Sequence, residues 1–195
     1  GRHNHVPIPA ATDCTVLTPD EIMAGMIPNG PVIVFDDDHY YMGGVLAEKL
    51  RQDGLDVTYV TPAADVSHWT HNTMEQGKIQ TQLMSLGVKI VPLHNLASIH
   101  RDHVELACIY TNQVKTLRCN AVVMVTMRDA KDDLFEALTK TVDTTLTSVT
   151  RIGDCYSPGT IAAAIYSGHR FARELGEPIC DGVPFRRELP ALATD

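Results

Sequence analysis

The sequence predicts an α/β fold of the Rossmann-like kind, a three-layer parallel sheet carrying an antiparallel β-meander. Three observations predict it. Short apolar runs bounded by turn residues occur at Val32–Phe35 and Ala121–Thr126, as expected of strands buried on both faces. An amphipathic stretch over 41–52 separates the first run from another β-type run at 57–61, and such a βαβ alternation requires parallel pairing. Between 95 and 119 three β-type runs are separated only by polar turns (96–101, 104–110 and 115–119), which suits a meander.

Taken in chain order, residues 1–11 hold Pro7, Pro9, His3 and His5 without periodicity and read as a linker that opens partway through a larger protein. Thr18-Pro19-Asp20-Glu21 supplies an N-cap, a proline at the first helical position and acids in the first turn, predicting a short helix to about Gly25. Pro28, Gly30 and Pro31 end it. The βαβ unit over 32–61 follows, then a helix from about 73 to 86 closed by Gly87, and a third strand at 89–92. After the meander the chain returns to the sheet at 121–126. A polar helix is expected near 131–140, a strand at 148–152, and a helix from Thr160 to Leu175, with a loop-like tail from Gly176 onward.

The chain has 195 residues, enough for one domain or one domain and part of a second, and 44% hydrophobic content supports a real core. Its longest apolar runs fall far short of the roughly 20 residues needed to cross a bilayer, so no membrane or signal segment is expected. The net charge is −8 and the Lys and Arg residues are scattered, so no nucleic-acid partner is expected. The five cysteines are odd in number and none forms a C-x-x-C pair. That argues against a disulfide framework and against a metal or cluster site in this chain, and it favours a cytoplasmic setting.

The turn after the first strand, Phe35-Asp36-Asp37-Asp38-His39-Tyr40-Tyr41-Met42-Gly43-Gly44, stands where a dinucleotide-binding fold carries G-x-G-x-x-G and seats a pyrophosphate on a helix N-terminus. With Gly43 as the third glycine, the first two fall at Asp38 and Tyr40, placing a carboxylate and a ring where backbone and phosphate must meet. Asp38 repels phosphate, and three aspartates satisfy the helix dipole themselves. Consecutive side chains here point apart, which disfavours Mg²⁺ or Ca²⁺. At the end of the second strand stand Val60, Thr61 and Pro62, neither the acid that NAD domains use for ribose nor the arginine of NADP domains.

The other constellation is Arg151-Ile152-Gly153-Asp154-Cys155 before the Ala-rich helix that opens at Thr160 and Ile161. Its small residues allow close packing, and its N-terminus can attract phosphate; spacing alone favours a plain strand–turn–helix unit. The histidine pairs His3/His5, His68/His71 and His100/His103 lack a third ligand at zinc spacing, so no metal site is expected. No G-x-S-x-G elbow supports hydrolase chemistry. Trp69 lies in a polar loop at the sheet's C-terminal edge, with either a docking or a packing role.

The Val16-Leu17-Thr18-Pro19 entry, Val32-Ile33-Val34-Phe35-Asp36-Asp37-Asp38 with Tyr41-Met42 and Leu46-Ala47-Glu48-Lys49-Leu50, the stretch from Arg151-Ile152-Gly153-Asp154 to Gly168-His169-Arg170, and Val183-Pro184-Phe185-Arg186-Arg187-Glu188 together resemble the trimethylamine dehydrogenase family. That family includes dimethylamine dehydrogenase, histamine dehydrogenase and N-methylproline demethylase-like proteins. 2,4-Dienoyl-CoA reductase is a more distant relative within the same NADH:flavin oxidoreductase, old yellow enzyme-like group. The resemblance covers nearly the whole chain.

It implies a parent enzyme with a (β/α)₈ barrel carrying FMN and a [4Fe-4S] cluster, followed by domains like the FAD and NAD(P)H domains of glutathione reductase-type flavoproteins. On this mapping residues 1–27 are linker and the end of the FAD-like domain, 28–147 the NAD(P)H-like domain, and 148–195 the C-terminal part of the FAD-like or ADP-binding domain. Gly153, Asp154, Thr160 and Ile161 match the part of that domain that faces a nucleotide, ADP or FAD. Asp38, Tyr40 and Gly43 mark a degenerate dinucleotide turn, which sides with amine dehydrogenases that pass electrons to a separate protein. The expected function is therefore a non-catalytic region of an enzyme that oxidises a small amine. The implied partners are the FMN barrel, an electron-transfer flavoprotein and a second copy. A docking or dimerisation module, and an NAD(P)H-binding domain of an NADH:flavin oxidoreductase, are the alternatives.

Overall fold

A computed structural model describes residues 2–4, 7–11, 13–141 and 146–176. Among them the elements run, in chain order, β1 (Arg2–Asn4), β2 (Thr15–Leu17), α1 (Pro19–Met23), β3 (Val32–Asp36), α2 (Tyr41–Gln52), β4 (Val57–Val60), a 3-10 turn (His68–Thr73) and α3 (Gln76–Ser85). They continue with β5 (Lys89–Val91), β6 (His94–Ile99), β7 (His103–Cys108), β8 (Val114–Arg118), β9 (Ala121–Val125), β10 (Met127–Asp129), α4 (Asp133–Lys140) and α5 (Ile161–Glu174).

The central sheet has the order β2-β9-β3-β4-β5, all parallel. β3 and β9 are buried along their whole length, and alternation sends their side chains into two separate cores. Val32, Val34, Val123 and Val125 pack with Leu46 and Leu50 of α2 and Leu83 of α3. Ile33, Phe35, Val122 and Met124 pack with Leu96, Val104 and Leu106 of the meander β6-β7-β8. Helices, parallel sheet and meander therefore form the three layers that the sequence predicts. A fully buried leucine such as Leu46 or Leu50 contributes roughly 1.5–3 kcal/mol by leaving water.

Thr18 caps α1 as expected. Its Oγ1 accepts the Glu21 N–H at 3.4 Å while Glu21 Oε2 accepts the Thr18 N–H at 2.7 Å, a reciprocal capping box. No helix among the described residues is long and apolar enough to cross a membrane.

Three expectations change, and one strand is added. The presumed linker contains β1, which pairs antiparallel with β10, and Ala10 bridges Ile99; the pairing partner lies more than 120 residues away, where no local pattern reports it. β2, too short to show alternation, joins the sheet edge beside β9. The helix expected from 73 begins at Gln76, after the 3-10 turn. Residues 148–152 form no strand, because none of the described strands pairs with them. The tail and the 183–188 motif lie outside the described residues.

Candidate functional site

β3 ends in Asp36, which is completely buried. Its Oδ1 accepts the N–H groups of Asp38 at 3.2 Å and His39 at 3.1 Å, and its Oδ2 accepts the Tyr59 hydroxyl. Tyr59 Oη in turn accepts the Ser67 N–H at 3.1 Å. A Cβ on Gly43, in the first turn of α2, would lie 2.6 Å from Asp36 Cγ and 2.8 Å from Oδ2. The glycine thus makes room for the protein's own carboxylate, in the place where a dinucleotide fold brings a phosphate against backbone. α2 has no capping side chain at its Tyr40 N-cap; Asp36 supplies the negative charge at that end.

Burial pushes the Asp36 carboxyl up to about 6, against the opposing effect of the Tyr59 hydrogen bond. Burial, then the Asp36 charge, raises the Tyr59 phenol well above its ordinary range. His39, in the left-handed region at φ +61°, is raised by its hydrogen bond to Asp37 and further by the Asp36 charge.

The three aspartates have separate partners, as their alternation requires. Asp36 points inward, Asp37 lies 3.3 Å from His39 Nε2, and Asp38 pairs with Arg128 of β10. The phosphate-repelling charge expected of Asp38 is thereby neutralised by a residue 90 positions away. Arg128 Nη1 also donates to the Gly159 carbonyl at 3.4 Å, so it ties the turn after β3 to the turn before α5.

Between those turns lies a cavity of about 520 Å³, lined by Tyr40, Tyr41, Arg128, Asp154, Thr160 and Ile161, with His3, Met42, Gly159 and Ala162 completing it. Its volume is that of an ordinary small-molecule site. Asp154 Oδ1 accepts the Gly159 N–H at 3.3 Å, and Thr160 Oγ1 caps α5 by accepting the Ala163 N–H at 3.3 Å. Gly153, at φ +58°, stands one step back and donates its N–H to Ser167 Oγ at 2.9 Å. Among the described residues, three buried side-chain polar atoms have no hydrogen-bond partner, and two of them, His3 Nε2 and Arg128 Nε, belong to this lining.

Asp154, Thr160, Ile161 and Tyr40 thus come together, whereas Gly43 faces Asp36 and Asp38 faces Arg128. Arg128 was not picked out from the sequence, and His3 was weighed only as one of a histidine pair, because each sits on a three-residue strand that no alternation announces. Trp69 is not packed: it is 57% exposed, and its backbone N–H donates to the His39 carbonyl at 2.8 Å.

Residues 17–131 match the family described as the OYE-like second alpha/beta domain. The chain is 30% identical over 219 residues to dimethylamine dehydrogenase of Hyphomicrobium sp. (strain x), covering 99% of this chain and 30% of that protein. It is similar to the structure of histamine dehydrogenase from Rhizobium sp. 4-9, with 44% identity and a TM-score of 0.87 over 97% of this chain and 30% of that one. It is also similar to 6-hydroxypseudooxynicotine amine oxidase (HisD) from Pseudomonas geniculata N1, with 39% identity and a TM-score of 0.83 over 90% of this chain and 27% of that one. The chain spans 30% of the length of the curated relative.

Proposed function

The chain belongs to the OYE-like second alpha/beta domain family, in the group of dimethylamine and histamine dehydrogenases, and on that premise we propose that it is the C-terminal nucleotide-binding-type region of an FMN and [4Fe-4S] oxidoreductase that oxidises a small amine. The region is not catalytic alone. In this reading FMN and the cluster belong to a barrel elsewhere in the parent protein, where the flavin supplies the redox chemistry. Residues 28–147 form the NAD(P)H-like domain, with 1–27 and 148–195 as pieces of the FAD-like one. The free cysteines, among them Cys14, Cys108 and Cys155, support a cytoplasmic setting.

The cavity beside Asp154 takes the adenosine part of ADP or FAD. Supporting this is the coincidence of two orphaned polar atoms, on His3 and Arg128, in the lining of one cavity, since buried polar atoms without partners are rare and call for an explanation. Tyr40, Met42 and Ile161 offer a base an apolar wall, the Asp154 carboxylate can accept ribose hydroxyls, and the unpartnered Arg128 Nε–H can donate to a phosphate oxygen. NADH and NADPH are refused at the older position, because the Asp36 carboxylate already fills the space beside Gly43.

Titration of the purified chain with ADP, FAD, NADH and NADPH at low salt tests the reading. Micromolar ADP binding that weakens at least tenfold in Arg128→Gln and Asp154→Asn, with none by NADH or NADPH, is expected. Micromolar NADH or NADPH binding overturns it. A docking role, for the parent chain or an electron-transfer flavoprotein, is favoured by one observation: Ile161, Ile165 and Tyr166 of α5 are each about two-thirds exposed or more. If no nucleotide binds, that role becomes the better account.

A further inference from the structure

Outside this cavity, the loop after β4 brings together Asp65, His68 and His71, three residues whose ligand atoms all lie within 4.8 Å of one another. His68 Nδ1 is 2.6 Å from Asp65 Oδ1 and His71 Nε2 is 2.7 Å from Asp65 Oδ2. The 3-10 turn creates the pairing: with three residues per turn, side chains three apart stand one above the other, and the two imidazoles meet edge to face at 5.2 Å. From the sequence alone, His68 and His71 lacked a third ligand; Asp65 stands where a third would be needed, beside the bend at Ser67 (φ +50°).

We propose that Asp65, His68 and His71 form a binding site for a borderline divalent transition-metal ion of the zinc, nickel and copper class. Two imidazoles and one carboxylate suit these ions, whereas magnesium and calcium require oxygen-rich sets. Tetrahedral coordination at ordinary Zn–N and Zn–O lengths puts ligand atoms roughly 3.3 Å apart, a separation that small rotations of these side chains reach. As a bare cluster of exposed hydrogen bonds the trio is worth little, while a cation satisfies all three acceptors at once and leaves positions for water.

The ligands are also held in place beforehand. The Val66 N–H donates to Gln80 Oε1 at 3.1 Å and the Val66 carbonyl accepts from Gln76 Nε2 at 3.2 Å. Thr70 Oγ1 donates to the Ser67 carbonyl at 2.7 Å, and Ser67 N–H is anchored on Tyr59. Both sides of the loop are therefore pinned to α3 and the sheet, so ordering the site on binding costs little.

Trp69, the only tryptophan of the chain, lies between the two histidines in sequence and is exposed, which makes it an internal reporter. The full chain is titrated with Zn²⁺ by equilibrium dialysis and with Cu²⁺ by quenching of Trp69 fluorescence, using Mg²⁺ as control. One equivalent of Zn²⁺ is expected, with affinity at least tenfold weaker in His68→Gln, in His71→Gln and in Asp65→Asn, and Trp69 quenching lost in the same variants. Both histidines are about half exposed, so the variants should fold, as melting in EDTA verifies. Unchanged Zn²⁺ affinity in the variants, equal binding of Mg²⁺, or Zn²⁺ binding no tighter than roughly 1 mM overturns the proposal.

Discussion

Replacing Asp36 by Asn tests the idea that the dinucleotide turn is filled by an internal carboxylate under electrostatic strain. Asn matches the protonated acid in shape. Its Oδ1 still accepts the Asp38 and His39 N–H groups, its NH₂ donates to Tyr59 Oη, and the freed Tyr59 hydroxyl hydrogen can turn to Ser67 Oγ, which is buried without a partner. Burial raises the carboxyl from 3.8 to about 6, so the folded state holds this proton more tightly than the unfolded chain does. Stability from this group is therefore greatest below about 3.8, falls as pH rises towards 6, and stays lower above it. At about 1.4 kcal/mol per unit the penalty at pH 8 is about 3 kcal/mol. That is an upper bound on the gain in the variant, since His39 loses the support of the Asp36 charge. Urea unfolding of both proteins at steps from pH 4 to pH 8 should show a difference near zero at pH 4 that grows in favour of Asn and levels off above pH 6. An Asn variant that is less stable than the parent at pH 8 would refute the reasoning and show that the two N–H groups and Tyr59 require the full negative charge.

Three further substitutions probe the same framework. Gly43→Ala forces a methyl to 2.6 Å from Asp36 Cγ and should lose about 1–3 kcal/mol by overpacking, read as a lowered Tm. Tyr59→Phe leaves the Ser67 N–H and Asp36 Oδ2 without their partner; a loss of about 1–3 kcal/mol is expected, larger at pH 8 than at pH 4, because it is the ionised carboxylate that relies on the hydroxyl. Thr18→Ala removes the hydroxyl that caps α1 and also donates to Glu21 Oε2 at 2.9 Å, and should cost about 1 kcal/mol, measured by urea unfolding.

The sequence by itself determined the layers. The run from Val32 to Asp36, the helix from Tyr41 to Gln52 and the meander are written in local periodicity, because a strand buried on both faces must be apolar throughout and a helix packed on one side must show a stripe. The glycine-poor character of the turn after the first strand is legible too, since a glycine's absence is visible residue by residue. What the turn contains was decided only by the tertiary structure. Of three adjacent aspartates, alternation at the strand end sends Asp36 inward to Tyr59, while Asp38 meets Arg128 on a strand too short to announce itself. The same limit explains the strand expected at 148–152, where β-type residues lack a partner strand among those described. It also explains Asp65, whose distance to two histidines is set by the bend at Ser67. Which charge is buried, paired or left to bind something depends on neighbours that packing brings together from distant parts of the chain, and a linear pattern carries no record of that distance.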